Sequence, residues 1–438
     1  MLSLIDDNYF LEDIRMLVER LAIKGNFIFC INRNEVKCIK NAYILLEQGI
    51  VVSFQTSLPD DTKILDYSDK IIIPAFTDLH THAGQIANIG IGYNKPLLDW
   101  LVKTTFHEEK RFENLDYAKV QYRKFVRELW FHGLLHSVVM PTLHKDATKF
   151  LIDELVRSGL YCYVGKVNMD IPLEDTLSED TADSVKSTEW LIDYTQSLNS
   201  NKVKYAVCPR FVLSCTPELM TQLGAISQRR KLPVHSHLSE NQDEIKQVHQ
   251  LYPKCPNYAS VYEHFKLLSS QPTVMAHCVY SDKQIGEAEI LENENTWIAH
   301  CPTSNSNLSS GIAPIAKLYQ KLKIGLGSDV SGGHTFDMFE IMRHCVQCSK
   351  LRTVVDESSS SELSFIHAFY MATMGGGSFF GEVGSFLPGY KFNALAINYV
   401  QNTDEGLLHS LERLIFTGSS YCIQSRFING MIIDMPEE

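Results

Sequence analysis

The stretch IIIPAFTDLHTH, residues 71–82, decides how the fold is read. It opens as a short apolar run rich in β-branched residues and ends in two histidines. A buried parallel strand is apolar until it emerges at its C-terminal end, which is where barrel enzymes place their chemistry. His80 and His82 stand two apart, so on an extended strand both imidazoles face the same side. Two imidazoles need a third ligand and a carboxylate to make a metal site, so the rest of the chain has to supply them.

Working outward, seven more short β-rich runs follow, separated by longer amphipathic segments. They are HSVVMP (136–141), YCYVGKV (161–167), KYAVCPRF (204–211), LPVHSHLSE (232–240), TVMAHCVY (273–280), WIAHCP (297–302) and IGLGSD (324–329). Strand and helix alternating about eight times predict an α/β fold of the (β/α)8 TIM-barrel type over residues 74–383. Before it, Phe27–Ile31, Tyr43–Leu46, Ile50–Phe54 and Ile71–Ile73 read as a small antiparallel β module. Past Gly381 the β texture returns in Ala394–Tyr399 and Arg426–Ile433. The expectation is a β-sandwich side domain built from both chain ends, residues 1–73 and 384–438. The first residues carry Leu11, Ile14, Leu17 and Leu21 at helical spacing, which predicts an amphipathic leading helix.

Composition narrows the function. The 438 residues carry a formal net charge of -12 with no basic cluster, which disfavours a nucleic-acid partner but not a small neutral substrate. No run approaches the ~18 apolar residues of a membrane span, and the acidic N-terminus is unlike a secretory signal. The 11 cysteines lack a framework spacing, which reads as reduced thiols in the cytoplasm. The pair Cys345 and Cys348 has no second pair to complete a zinc site.

Polar residues at the strand ends carry the chemistry. His80 and His82, then His237 with Glu240, then His277, then Asp329 each follow an apolar stretch on a different candidate strand. Three imidazoles and a carboxylate suit Zn²⁺, with Fe²⁺ as second choice. His235, two before His237, reads as structural. His300 is expected in the pocket wall, and His334, after two glycines, near the mouth.

These motifs resemble the amidohydrolase superfamily, and within it the members that deaminate purines. PAFTDLHTHAGQ (74–85) looks like the family's metal-binding opening. PLLDWL (96–101), CPRFVLSC (208–215), SHLSENQDE (236–244), MAHCVY (275–280), HCPTSNSNLSSG (300–311) and IGLGSDVSGG (324–333) follow in the family's order. Two departures stand out: Thr303 and Asn393 occupy positions where the family has asparagine and aspartate.

The resemblance implies hydrolytic deamination of guanine to xanthine and ammonia, in a homodimer holding one zinc per chain. It implies that His80, His82, His237 and Asp329 hold the metal, and that Asp329 also accepts the proton of the attacking water. Glu240 would protonate the ring nitrogen and then the departing ammonia, while His277 would hydrogen-bond the water or the developing alkoxide. Gln85, Arg210 and Phe211 would read the ring in a pocket shared with His82, His237, Glu240 and Asp329, and Trp100 would add a second flat face. Arg210 has only donors, so an amine in place of guanine's carbonyl would leave its guanidinium without a partner. A bridging carbamylated lysine would have Lys166 as its candidate. The competing readings are a deaminase or chlorohydrolase acting on a pterin, triazine or S-adenosyl compound, and an inactive barrel serving as a scaffold. The small-fold zinc deaminases are excluded, because no P-C-x-x-C occurs.

Overall fold

The computed structural model describes residues 20–58, 62–173, 177–293, 295–356, 361–399 and 406–436. Most of the predicted leading helix lies outside them. Leu21, counted on its apolar stripe, instead begins strand β1.

Strands from both chain ends share one seven-stranded sheet. They are β1 (Leu21–Asn32), β2 (Glu35–Glu47), β3 (Ile50–Gln55) and β4 (Lys63–Pro74) from the first part. The heavily buried run Ile71–Pro74 thus closes this sheet, and Ala75 is the one residue before the chain leaves it. Three more strands, numbered below as β15 to β17, come from the last part. The module was expected to be antiparallel, but β1 runs parallel to β4, pairing Leu21 with Lys63 and Phe27 with Ile72. A parallel pair needs a long connection, and the β2–β3 hairpin provides it.

Beyond Ala75 each of the eight apolar runs contains a strand, and these strands pair in parallel. One four-stranded sheet has the order β5 (Phe76–His82), β6 (Leu134–Met140), β7 (Tyr161–Val164) and β9 (Val203–Tyr205). A short pair, β8 (Val167–Asn168) with β10 (Cys208–Pro209), extends beyond it. The other sheet runs β11 (Val234–Leu238), β12 (Thr273–His277), β13 (Thr296–His300) and β14 (Lys323–Leu326). A parallel bridge between Val207 and Val234 joins the two sheets. At the far side Asp329 N donates to the His80 carbonyl at 2.8 Å, and Ser328 N to Asp78 Oδ1 at 3.0 Å.

Helices fill the connections. Asn114 caps the helix Leu115–Phe131 through Asp116 N and Tyr117 N, and Asp180 caps Thr181–Ser197 in the same way. Their apolar faces join the main core. The seven-stranded sheet has a core of its own, in which Phe27 meets Phe386 edge to face and Phe392 meets Phe427. The remaining strands of that sheet, β15 (Ala394–Ile397), β16 (Ile423–Ile428) and β17 (Met431–Ile432), pair antiparallel, with β15 against β4.

Candidate active site

The residues at the ends of β5, β11, β12 and β14 come together. Two of them, His277 and Asp329, have positive φ, 73° and 45°, a strained conformation for residues with a side chain that recurs at functional sites. Nε2 of His80 and of His82 lie 3.1 and 3.3 Å from Asp329 Oδ1. His82 Nε2 is 3.2 Å from His237 Nε2. His277 Nε2 is 3.5 Å from Glu240 and 3.7 Å from Asp329. All six side chains are buried or nearly so.

The outer nitrogens of His237, His277 and His80 each have a partner, whereas Nδ1 of His82 is buried without one. His237 Nδ1 lies 2.6 Å from the Arg210 carbonyl, which can only accept, so Nε2 keeps its lone pair. His277 Nδ1 faces Asn305 Oδ1 at 2.9 Å, with the same result. His80 Nδ1 meets His235 Nε2 at 2.6 Å, so His235, read as structural, orients His80 from behind. Lone pairs and a carboxylate therefore converge on one point. The Nε2 atoms of His80 and His277 are buried without a hydrogen bond. Among the described residues, ligand atoms of His80, His237, His277 and Asp329 lie within 4.8 Å of one another. Such a set repels itself unless a cation sits between, and imidazole with carboxylate is a donor set for a divalent transition metal. His277 belongs to this group and the predicted ligand His82 does not, although His82 Nε2 lies 3.3 Å from Asp329 Oδ1.

Electrostatics divides the two carboxyls. Burial, reinforced by the charge of Asp329, pushes Glu240 well above the usual carboxylate range. Burial alone would raise Asp329 as well. The imidazoles of His80, His82 and His277 outweigh it and hold Asp329 well below that range. Burial lowers His80 to about 4 and takes His237 well down, so both rings are neutral as ligands must be.

Beside this cluster opens a pocket lined by His82, Gln85, Arg210, Phe211, His237, Glu240, His277 and Asp329. Leu97, Trp100, Leu101 and Leu308 complete the wall, and of these only Trp100 was singled out in the sequence. One buried residue behind the wall was missed altogether. Glu109 accepts from Arg210 Nη1 and Nη2 at 2.6 and 2.9 Å and from Gln85 Nε2 at 2.9 Å. The expectation that a substrate must partner the Arg210 guanidinium is corrected by this pair, since a carboxylate already neutralises it. No sequence signal marks Glu109, because it lies in the charged run FHEEKRF, 101 positions from Arg210.

Other expectations fall elsewhere. His300 is buried but does not line the cavity. His334 pairs with Glu340 at 3.0 Å and with Asn307. Lys166 is ion-paired with Glu179 and donates to the Val167 carbonyl, apart from the histidine cluster. Cys345 and Cys348 are buried on the helix Met338–Val355, and the 11 cysteines are free thiols.

The amidohydrolase family model matches residues 71–433, most of the chain. The chain belongs to the amidohydrolase family. A guanine deaminase of Dictyostelium discoideum is 34% identical over 93% of this chain and 96% of its own length. The human guanine deaminase is 38% identical over 75% of this chain and 73% of its own. Among solved structures, guanine deaminase from C. acetobutylicum with guanine bound in its active site superposes with a TM-score of 0.91. It is 42% identical and covers 95% of this chain and 100% of that one. This amidohydrolase also shares its fold with the chlorohydrolase TrzN of Arthrobacter aurescens, at a TM-score of 0.80 and 18% identity.

Proposed function

We propose that the chain hydrolyses guanine to xanthine and ammonia at a single divalent metal, zinc before iron. The observation that carries this reading is one cavity holding both a set of neutral imidazoles around an ionised carboxylate and a wall of buried hydrogen-bond donors. The eight parallel strands are read as a closed (β/α)8 barrel over residues 74–383. The seven-stranded sheet is then a side domain formed from residues 1–73 and 384–438.

His80, His82, His237 and Asp329 would hold the metal, whose chemistry is to make water nucleophilic at neutral pH. Asp329, held ionised, takes the proton that the attacking water gives up as its oxygen bonds C2. Glu240, kept protonated by burial, gives its proton to the ring nitrogen as C2 becomes tetrahedral. The ionised Glu240 then takes the remaining proton of the C2 hydroxyl and passes it to the 2-amino group, so that the C–N bond breaks, C2 becomes a carbonyl and neutral ammonia leaves. Return of the Asp329 proton to Glu240 restores the site. His277 faces both carboxyls and hydrogen-bonds the oxygen at the reacting carbon. Gln85 and Arg210 read the far edge of the ring, with Phe211 and Trp100 as apolar faces.

Three parts of this reading extend past the site: a homodimer, one metal per chain and a cytoplasmic location. No described helix is long and apolar enough to cross a membrane. The test is ammonia release by zinc-loaded protein from guanine, adenine, cytosine, pterins and triazines. Guanine is expected to exceed adenine by at least ~10³ in kcat/KM. A triazine or pterin turned over faster than guanine would overturn the substrate assignment and leave the metal chemistry standing.

A further inference from the structure

Gln85 has an amide whose two ends could face the substrate either way round, and the structure leaves no freedom in that choice. Its Oε1 accepts from Ser331 N at 3.1 Å, a group that can only donate. Its Nε2 donates to Glu109 Oε1, a group that, ionised, can only accept. Glu109 is fully buried on the segment Phe106–Lys110 and takes the Arg210 fork on both oxygens. The guanidinium also lies 4.8 Å from the centre of the Phe106 ring. After these bonds Arg210 has three N–H groups left and Gln85 has one. Each remaining polar hydrogen on this wall is therefore a donor, and the cation behind them is neutralised by its pair.

We propose that Glu109 is a positioning residue that sets the polarity of the purine-reading wall. It locks Gln85 with its N–H₂ toward the pocket and removes the net charge of Arg210. The site then selects a neutral ring bearing a carbonyl and ring-nitrogen acceptors at that edge. This rests on the guanine reading given above and adds to it the residue that enforces the choice. Without Glu109 only the Ser331 N–H would hold the Gln85 amide in this orientation, and giving up that one bond would let its carbonyl turn to the pocket and accept from an amine.

The experiment compares guanine with 2,6-diaminopurine, which keeps the 2-amino group and replaces the carbonyl by an amine. In the wild type 2,6-diaminopurine should inhibit competitively with a Ki at least ~10³ above the KM for guanine. In Glu109→Gln the guanine KM should rise about tenfold or more while kcat stays within about threefold. The same variant should narrow the ratio of Ki to KM by at least about tenfold, at unchanged metal content. Glu109→Asp, which keeps two accepting oxygens, should retain most of the ratio even where its KM rises. Should Glu109→Gln fail to fold because a buried cation is left unpaired, the exchange is made in an Arg210→Gln background, where it must still narrow the ratio through Gln85. An unchanged ratio in the single variant, or in that background, overturns the proposal, and so does a lowered melting temperature with KM and ratio intact. A wild type that releases no ammonia from guanine would instead overturn the reading on which it rests.

Discussion

At residue scale the site sets two buried carboxyls, each facing His277, on opposite sides of the usual carboxylate range. Glu240 is raised by burial and by the charge of Asp329, and Asp329 is lowered by the imidazoles around it. Pairs of titratable groups pushed apart in this way mark the acid and the base of a reaction. Glu240→Gln keeps the volume and loses the proton, so it should retain its metal and turn over at least ~10²-fold more slowly. His237→Ala should lose metal and activity together; full metal content by elemental analysis in that variant would remove His237 from the ligand set. The strand-end histidines and Asp329 were legible because a lone polar residue after an apolar run needs a reason to be there. Glu109, Leu97 and Leu308 were not, since a glutamate among charges and a leucine among leucines look the same whether or not they face a cavity. Thr303, expected to depart from the family pattern, is buried with no partner for its hydroxyl, and Asn305 makes the contact to His277.

At the scale of elements, the apolar runs announced the strands but not where one sheet hands over to the next. IIIPAFTDLHTH reads as a single run, yet Ile71–Pro74 pairs with β15 and Phe76–His82 with β6. Pro74 and Ala75 mark the switch only in hindsight, because a proline ending a strand is compatible with a loop of any kind. The parallel pairing of β1 with β4 was equally hidden, since periodicity carries no direction. Close approaches between elements are the other feature that pattern does not show. A Cβ on Gly165, just after β7, would lie 1.7 Å from the Ala206 carbonyl oxygen. Gly165→Ala should therefore part neighbouring strands at the site's end of the sheet and cost roughly 4 kcal/mol or more. Its measure is the thermal melt, where a midpoint equal to the wild type would contradict this packing.

For the whole molecule, Asn393 holds the seven-stranded sheet to the parallel strands. Its Nδ2 lies 2.8 Å from His136 Nε2 on β6, and its Oδ1 accepts from Asn429 N at 2.8 Å. Burial lowers His136 to about 3, so the ring is neutral and Nε2 can accept from the amide. This neutral pair satisfies the buried corner without a charge. Asn393→Leu should strand two buried polar groups, costing about 2 to 4 kcal/mol in a denaturant titration while leaving KM for guanine unchanged. That sheet also dictates an order of events during synthesis. Ribosomes deliver β4 more than 300 residues before β15, the strand that lies against Ile71–Pro74. Until β15 is made, Ile71, Ile72 and Ile73 present an open apolar edge, the kind of surface on which nascent chains aggregate or recruit chaperones. Strand β5 follows directly from that edge, so β15 to β17 complete a surface that β1 to β4 began.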